Sequence, residues 1–220
     1  MRTRSSALAA VLAILLLAGL LAAPAQAYEH RRGTPSIGVQ LHYGLLAGNA
    51  DWTDVFSTAH GVTIHVRQYI ARNRALGLTF ELQRYAEGTT VPLIAEEFNP
   101  DYLQIQLIMF DYYFYFNRAQ KRTPYLVLSG GFYRPEIVDE GDRDLQQYGS
   151  VVEHPDEGLI ARTGVGLEWF LGRTFSIDGS ISGYYIHGPS SLKGLIEDPD
   201  SGGLAASFMA ALGVHLYTGK

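Results

Sequence analysis

The sequence contains no cysteine among its 220 residues. Disulfide cross-links, thiolate metal sites and a lipid-modified cysteine anchor are therefore excluded. A basic excess is also missing, because 22 Asp and Glu outnumber 17 Lys and Arg, and this excludes the electrostatic footprint of a nucleic-acid-binding protein. After residue 27 there is no apolar run of the roughly 20 residues that a membrane-spanning helix requires.

The first 27 residues have the layout of a secretory signal peptide. Arg2 and Arg4 form a short positive segment, and residues 7–21 form an unbroken apolar stretch rich in Leu and Ala. Ala25-Gln26-Ala27 then supplies the small-x-small pattern of a cleavage site. We expect export through the Sec pathway, with residues 1–27 as the signal peptide and residues 28–220 as one β-barrel domain.

Short segments in which apolar and polar residues alternate fill the rest of the chain. Eight such segments, separated by turn residues, are typical of a membrane β-barrel. The predicted strands lie near residues 36–47, 59–70, 75–86, 101–116, 124–133, 159–171, 174–187 and 204–217. The predicted fold class is all-β, an eight-stranded antiparallel up-and-down transmembrane β-barrel.

The charged residues of these segments fall on the faces that also carry Gly and Ser. Successive side chains of a strand point to opposite sides, and the interior of an eight-stranded barrel is just wide enough for side chains to fill it. A soluble barrel would fill that interior with Leu and Phe. We therefore predict that the polar faces line the lumen, with an interior ion-pair network of Arg67, Glu81, Arg162, Glu168 and Asp178.

The apolar faces are then expected to meet lipid. On the fourth strand, this reasoning assigns Leu103, Ile105, Leu107 and Met109 to the outside, opposite Gln104 and Gln106. The fifth strand alternates poorly, and its faces are not assigned.

Short and long connections between the predicted strands alternate. The short ones lie around Arg72–Arg74, Asn117–Thr123 and Gly172–Arg173, and the long ones run near residues 48–58, 87–100, 134–158 and 188–203. Outer-membrane barrels have short periplasmic turns and longer extracellular loops. The long connections hold 16 acidic residues, half of them in the third, where divalent cations bridging to anionic lipid headgroups are a hypothesis.

Aromatic residues cluster toward the strand ends, where rings are expected to meet lipid headgroups. This pattern predicts an aromatic belt that includes Tyr113, Tyr115, Trp169, Tyr133 and Tyr185.

The whole layout, over residues 34–217, resembles the small outer-membrane barrels of the OmpA/OmpX type. Stretches such as Gly164-Val165-Gly166-Leu167-Glu168-Trp169-Phe170, followed by a tight turn, are similar to that superfamily. The resemblance implies a bacterial outer-membrane location, contact with outer-membrane lipid and lipopolysaccharide, and insertion by the barrel-assembly machinery. That machinery usually reads an aromatic residue at the end of the chain, and here Tyr217 is followed by three more residues. A monomer is expected.

Two groups of residues suggest further chemistry. His42, His65 and His215 share one face of neighbouring strands, but we expect hydrogen-bonding lumen residues rather than a metal site. Ile186-His187-Gly188-Pro189-Ser190 resembles the His-x-Ser pair that lipid A deacylases of the outer membrane carry on a similar barrel. Since Ser190 is three residues after His187, the two do not share a strand face as nucleophile and base require.

The sequence therefore predicts a protein with a structural, adhesive or surface-interaction role and without catalysis, cofactor or metal. A lipid A-modifying hydrolase that uses His187 and Ser190 is the first alternative. A soluble periplasmic barrel that binds a small ligand is the second alternative.

Overall fold

The structure is a computed structural model, and it describes residues 32–48, 56–87, 102–116, 121–139, 150–153, 157–187 and 205–218. Within these ranges the regular elements are nine antiparallel β-strands. They are β1 (Pro35–Gly48), β2 (Phe56–Ala71), β3 (Arg74–Glu87), β4 (Tyr102–Tyr115), β5 (Arg122–Asp139), β6 (Ser150–Glu153), β7 (Gly158–Phe170), β8 (Phe175–His187) and β9 (Ala205–Tyr217). Among these residues, no helix is long and apolar enough to cross a membrane.

Eight of the strands form a closed barrel. Each long strand pairs with the next one along the chain, β1 pairs with β9, and the β4–β5 pairing completes the ring. The short strand β6 pairs only with the end of β5. The predicted eight-stranded up-and-down barrel is therefore confirmed. The third long connection begins later than predicted, since β5 continues to Asp139 instead of ending near residue 133.

The register of the strands sets their tilt. Following directly paired residues once around the barrel leads from Leu45 through Phe208, Gly183, Thr163, Leu128, Tyr112, Leu76 and Gln68 to Pro35. The path returns to β1 ten residues from its start. This stagger corresponds to a strand tilt of roughly 40° to the barrel axis, within the range of known barrels.

The polarity of the wall is inverted relative to a soluble protein. Leu41, Leu212 and Ile181 face outward and are 64–68% exposed, whereas Arg67 and Glu168 face inward and are at most 1% exposed. Interior glycines make room for the large polar groups. A Cβ at Gly38 would collide with the rings of His65 and His215.

Strand β4 departs from the predicted orientation. Leu103, Ile105, Leu107 and Met109 are inside the barrel and at most 2% exposed, and Gln104 and Gln106 are on the outer wall. The prediction was wrong because the half of this strand nearest the short turn is aromatic on both faces. Hydrophobicity alone therefore does not decide which of its residues face the lumen. Asp111 does decide this, since a mid-strand carboxylate belongs inside and shares the phase of Met109.

Candidate functional site

The side chains inside the barrel form three layers. An upper layer at the long-loop end is apolar with tyrosines at its edges, and it consists of Leu46, Ala59, Tyr85, Leu103, Ile105, Leu107, Met109, Tyr133, Ile160, Tyr184, Ile186 and Met209. A lower layer at the short-turn end is mainly aromatic and consists of Tyr69, Ala75, Tyr113, Tyr115, Tyr125, Val127, Phe170 and Tyr217. Between them lies an ionic belt of Arg67, Glu81, Asp111, Arg162, Glu168 and Asp178, with His42, His65 and His215.

Arg162 is the centre of one half of the ionic belt. Its Nη2 donates to Asp111 Oδ1 at 2.7 Å, and its Nη1 is 3.6 Å from Glu81 Oε2. Its Nε donates to Ser129 Oγ at 3.1 Å. All three nitrogens of the guanidinium are therefore used, and the planar fork of an arginine suits such multiple contacts.

Arg67 is the centre of the other half. Its Nη1 donates to Tyr115 Oη at 2.6 Å and is 3.6 Å from Glu168 Oε2. Its Nη2 donates to His215, and its guanidinium lies 4.7 Å from the centre of the Tyr113 ring. The ionic belt is thus joined directly to the lower layer, whose tyrosines supply hydroxyl groups to it.

The carboxylates receive further hydrogen bonds from neutral groups. Glu168 accepts from Ser176 and Tyr217, and Asp178 accepts from Gln40. Glu81 accepts from Gln83 and, at 3.1 Å, from Tyr184 Oη. These bonds matter because a buried charge is very costly unless it is both paired and hydrogen-bonded.

The five residues predicted for the ion-pair network all lie in the ionic belt, but they do not form a single cluster. Arg162 contacts Glu81, and Arg67 contacts Glu168. Asp178 instead contacts Gln40 and lies 3.9 Å from His215. Asp111, whose ion pair with Arg162 has the shortest distance at 2.7 Å, was not predicted. The prediction had reversed the inner and outer faces of β4.

The three lumen histidines do not converge on one point. His65 Nε2 is 3.2 Å from His215 Nδ1, and Arg67 lies against both rings. His42 is apart from them, 3.2 Å from Thr63 Oγ1 and 3.7 Å from Glu81. Within the described ranges no group of His, Asp or Glu is arranged to hold a metal ion. The guanidinium beside the His65–His215 pair also opposes a cation there.

The predicted aromatic belt is wrong for three of its five residues. Tyr113, Tyr115 and Tyr133 point into the lumen and are at most 4% exposed. Tyr113 and Tyr115 follow Asp111 in phase, and Tyr133 pairs with Leu107 on the inside. Tyr185 faces outward and is 51% exposed. Trp169 also lies on the outer side, with Arg122 5.0 Å from its ring centre.

Two other predicted features fall outside the described residues. His187 is the last residue of β8, but its side chain and Ser190 are not among the described groups. Of the acidic third connection, the side chains of Glu136 and Glu157 are described, and both lie near Arg134, at 3.7 and 4.0 Å.

The ionic belt leaves almost no free space. The cavity between Arg67 and Arg162, lined also by His42 and Tyr184, has a volume of about 10 Å³. That is about the space of one water molecule. A cavity of this size is too small for an aqueous channel or a substrate, and the arrangement around it stabilises buried charge.

An outward apolar wall around a filled, ion-paired lumen defines a transmembrane β-barrel of the smallest closed type. No protein-family model and no curated protein matches the sequence. Solved structures of outer-membrane barrels share the fold, among them the following two. Neisserial surface protein A (NspA) is 12% identical, with a TM-score of 0.50 over 83% of this chain and 96% of that one. The outer membrane protein OprG from Pseudomonas aeruginosa is 8% identical, with a TM-score of 0.55 over 87% of this chain and 99% of that one. The chain thus has the fold of the small outer-membrane barrels of the OmpA/OmpX type.

Proposed function

We propose that this protein resides in the bacterial outer membrane as a sealed barrel that holds its long connections at the cell surface, in a structural, adhesive or surface-interaction role. The observation that carries the proposal is the inverted polarity of the wall. Arg67, Arg162 and Glu168 are buried in the lumen, whereas the outer wall is apolar. Such a surface is stable only in contact with lipid, because in water a continuous band of apolar side chains would be exposed to solvent.

The topology supports one orientation. Three short connections, at 72–73, 116–121 and 171–174, lie at the end of the barrel where β1 begins and β9 ends. Known outer-membrane barrels place their short turns and their chain ends in the periplasm. The long, acidic connections then face the outside of the cell, where a partner would meet them.

A sealed lumen supports a scaffold rather than a pore. The upper layer, the ionic belt and the lower layer each cross the interior, and the cavity within the ionic belt is about 10 Å³. An ion crossing this barrel would have to displace paired charges, which are strongly held once they are removed from water. We propose that the protein does not conduct ions in its folded state.

The two alternatives have less support. A soluble ligand-binding barrel would require an apolar lumen and a polar outer wall, opposite to the observed arrangement. For a lipid A hydrolase, the three-residue spacing of His187 and Ser190 does not suit a strand. We propose that the protein has no catalytic activity.

Membrane residence is tested by fractionating cells that express the protein and by gel electrophoresis with and without boiling. The expected result is recovery in the outer-membrane fraction and a shift in mobility on heating. Recovery as a soluble periplasmic protein would contradict the proposal.

Planar-bilayer recording with the purified barrel tests whether the lumen conducts ions. Stable single-channel currents would contradict the proposal that it does not.

The surface role is tested by replacing residues 140–149, which lie within the third long connection, with a Gly-Ser segment of equal length. The barrel should fold as before, and binding of intact cells to host matrix or to other cells should decrease. Replacement of Asn73, in a short turn, by Gly is the matched control.

Mass spectrometry of lipid A from cells with and without the protein tests catalysis, and a changed acyl pattern that Ser190→Ala abolishes would establish the hydrolase instead.

A further inference from the structure

Within the described residues, the outer wall of three adjacent strands changes from apolar to polar side chains toward the long connections. The row Phe80, Ile108 and Phe132 on β3, β4 and β5 is apolar. The next row toward the long connections is Leu82, Gln106 and Arg134, and the row beyond it is Arg84, Gln104 and Glu136. The transition from an apolar to a fully polar surface takes only two rows.

This transition lies at the upper edge of the membrane. From Phe116, the residue after β4, to Gln106 the outward side chains span ten residues. That corresponds to roughly 33 Å along the strand and, at a tilt of roughly 40°, to about 25 Å along the membrane normal. Since the apolar band of outer-membrane barrels is about 25 Å tall, Gln106 lies where hydrocarbon ends and the lipid headgroups begin.

Arg84 and Arg134 both have polar neighbours at this level. Arg84 Nε donates to Gln104 Oε1 at 3.1 Å, and Gln104 Nε2 donates in turn to Glu136 Oε2 at 3.1 Å. Arg134 Nε is 3.7 Å from Glu136 Oε1 and 4.0 Å from Glu157, which is 73% exposed. Both arginines contact these neighbours through Nε. Among the described residues, the amino groups at the tip of each guanidinium have no hydrogen-bond or ion-pair partner, and an external acceptor can therefore contact them. Such a fork favours a phosphate group.

An apolar groove leads downward from Arg134 along β4. Its volume is about 510 Å³, and it is lined by Ile64, Phe80, Ile108 and Phe132, with Gln106 and Arg134 at its upper end. Ile108 forms the floor, and the two larger phenyl rings beside it in register form the sides. A groove of this shape matches an acyl chain. Lipid tails are as apolar as the groove, so the polar end must supply most of the selectivity.

Among the described residues, Arg84 and Arg134 are the outward-facing cationic side chains of the upper wall. Among the described residues, the other outward-facing Lys and Arg lie at the short-turn end: Arg32, Arg72, Arg74, Lys121, Arg122 and Arg173. Glu136 and Glu157 offset part of the positive charge of Arg134. Arg84 has no acidic neighbour among the described residues and lies over the Tyr102 ring at 4.8 Å.

From this geometry, and on the basis of the proposed outer-membrane location, we propose that the outer wall of β3–β5 binds a phosphorylated, multiply acylated glycolipid of the outer leaflet. Arg84 and Arg134 contact its phosphate, Gln104 and Gln106 contact its sugar hydroxyls, and one acyl chain occupies the groove over Ile108. The proposed ligand therefore has a phosphate at the level of the lipid headgroups and an acyl chain that extends from it toward the membrane centre.

The experiment uses the folded full barrel in phosphatidylcholine nanodiscs that contain a small fraction of diphosphorylated lipid A. After exchange into detergent with EDTA present, native mass spectrometry counts the lipid A retained per barrel. The wild type should retain one molecule, and the double variant Arg84→Gln with Arg134→Gln should retain roughly ten-fold less or lower. Ile108→Trp, which fills the groove, should also reduce retention.

The matched control is Arg74→Gln with Arg122→Gln, which removes the same charge at the opposite headgroup level and should leave retention unchanged. Dephosphorylated lipid A should not be retained by any variant. Equal retention by the wild type and the Arg84/Arg134 variant, equal retention of the dephosphorylated lipid, or loss of wild-type binding in EDTA would overturn the proposal. A barrel dimer that this double variant abolishes would instead assign the surface to a second copy of the chain.

Heat-modifiable migration of each variant distinguishes this inference from the proposed function. A variant that folds and inserts but loses the lipid contradicts nothing about membrane residence. A wild-type barrel that inserts but retains no lipid overturns only the inference. Failure of the wild type to insert at all overturns the proposed function.

Discussion

The inner and outer surfaces of the barrel are made by the same strands, and they follow different rules. The outer wall consists mainly of apolar side chains. Leu41, Ile181 and Leu212 are equivalent in this respect, because any apolar side chain is compatible with lipid. Inside, the large polar side chains are matched to particular neighbours, such as Asp111 for Arg162 or Tyr115 for Arg67. The outer surface is therefore specified by composition and the inner surface by geometry.

This difference predicts where the protein tolerates substitution. A change on the outer wall alters one contact with a fluid environment, so its cost depends mainly on depth in the membrane. A change in the lumen leaves a buried neighbour without its partner, so its cost depends on which side chain is removed and on its position. The following variants test this contrast by pairing an inner residue with an outer one, or a central position with a peripheral one.

The largest effect is expected for Arg162→Leu. The substitution leaves Asp111 and Glu81 buried without their cation, which should lower the free energy of unfolding by about 3 to 5 kcal/mol. Urea titration of the barrel folded in phospholipid vesicles, followed by tryptophan fluorescence, measures the change. Arg84→Leu, the same substitution on the outer wall, should cost about 1 kcal/mol or less. Equal losses for the two variants would refute the contrast.

The next effect concerns depth on the outer wall. Leu212→Arg introduces a charge halfway along β9 and should cost about 2 to 4 kcal/mol, whereas Leu45→Arg, near the long-loop end of β1, should cost about 0 to 1 kcal/mol. The same vesicle titration applies. If the two leucines gave the same value, the outer wall would not be spanning a bilayer.

A smaller effect is expected for the glycines. A Cβ at Gly166 would overlap the Tyr125 ring in the lumen, whereas a Cβ at Gly130 on the outer wall meets nothing within 4 Å. Gly166→Ala should therefore cost about 1 to 3 kcal/mol through overpacking, and Gly130→Ala should leave the unfolding midpoint essentially unchanged. A destabilised Gly130→Ala variant with an unaffected Gly166→Ala variant would show that the two faces are assigned the wrong way round.

The smallest effect separates two adjacent tyrosines of β8. Tyr184→Phe removes the hydrogen bond to Glu81 and should cost about 1 kcal/mol, because Glu81 keeps Gln83 and Arg162 as partners. Tyr185→Phe, on the outer wall, should cost less than Tyr184→Phe. Since the expected difference is close to the precision of a single titration, replicate unfolding curves should be fitted together. A larger loss for Tyr185→Phe would count against the assignment of Tyr184 to the lumen.

The features that could be read from the sequence are those that depend on local alternation. The phase of β3 follows from Leu76, Leu78 and Phe80 opposite Thr79 and Glu81, and the structure places all of them on the predicted faces. The same rule failed for β4 because residues 110–116 are mostly aromatic on both faces, and it left β5 without an assignment. Asp111, which lies on the same face of β4 as Met109, was the one residue that indicated which face of this strand is inside.

The pairing of charges within the lumen could not be predicted. Which carboxylate meets Arg162 depends on the stagger of strands that are far apart in the chain, and Asp111 lies 51 residues before it. The aromatic belt failed for a related reason. Nearness to a strand end places a ring at the right height, but only the strand phase decides whether it faces lipid, as for Tyr185, or the lumen, as for Tyr113.

By itself, the sequence determined the number of long strands, the alternation of short and long connections and the inversion of polarity, because each depends on residues that are close together in the chain. The tertiary structure alone decided the partners of the buried charges, the small size of the cavity between Arg67 and Arg162 and the placement of Arg84 and Arg134 above an apolar groove. Those features depend on the closure of β4 against β5 and on a ten-residue stagger around the ring, which no local pattern encodes.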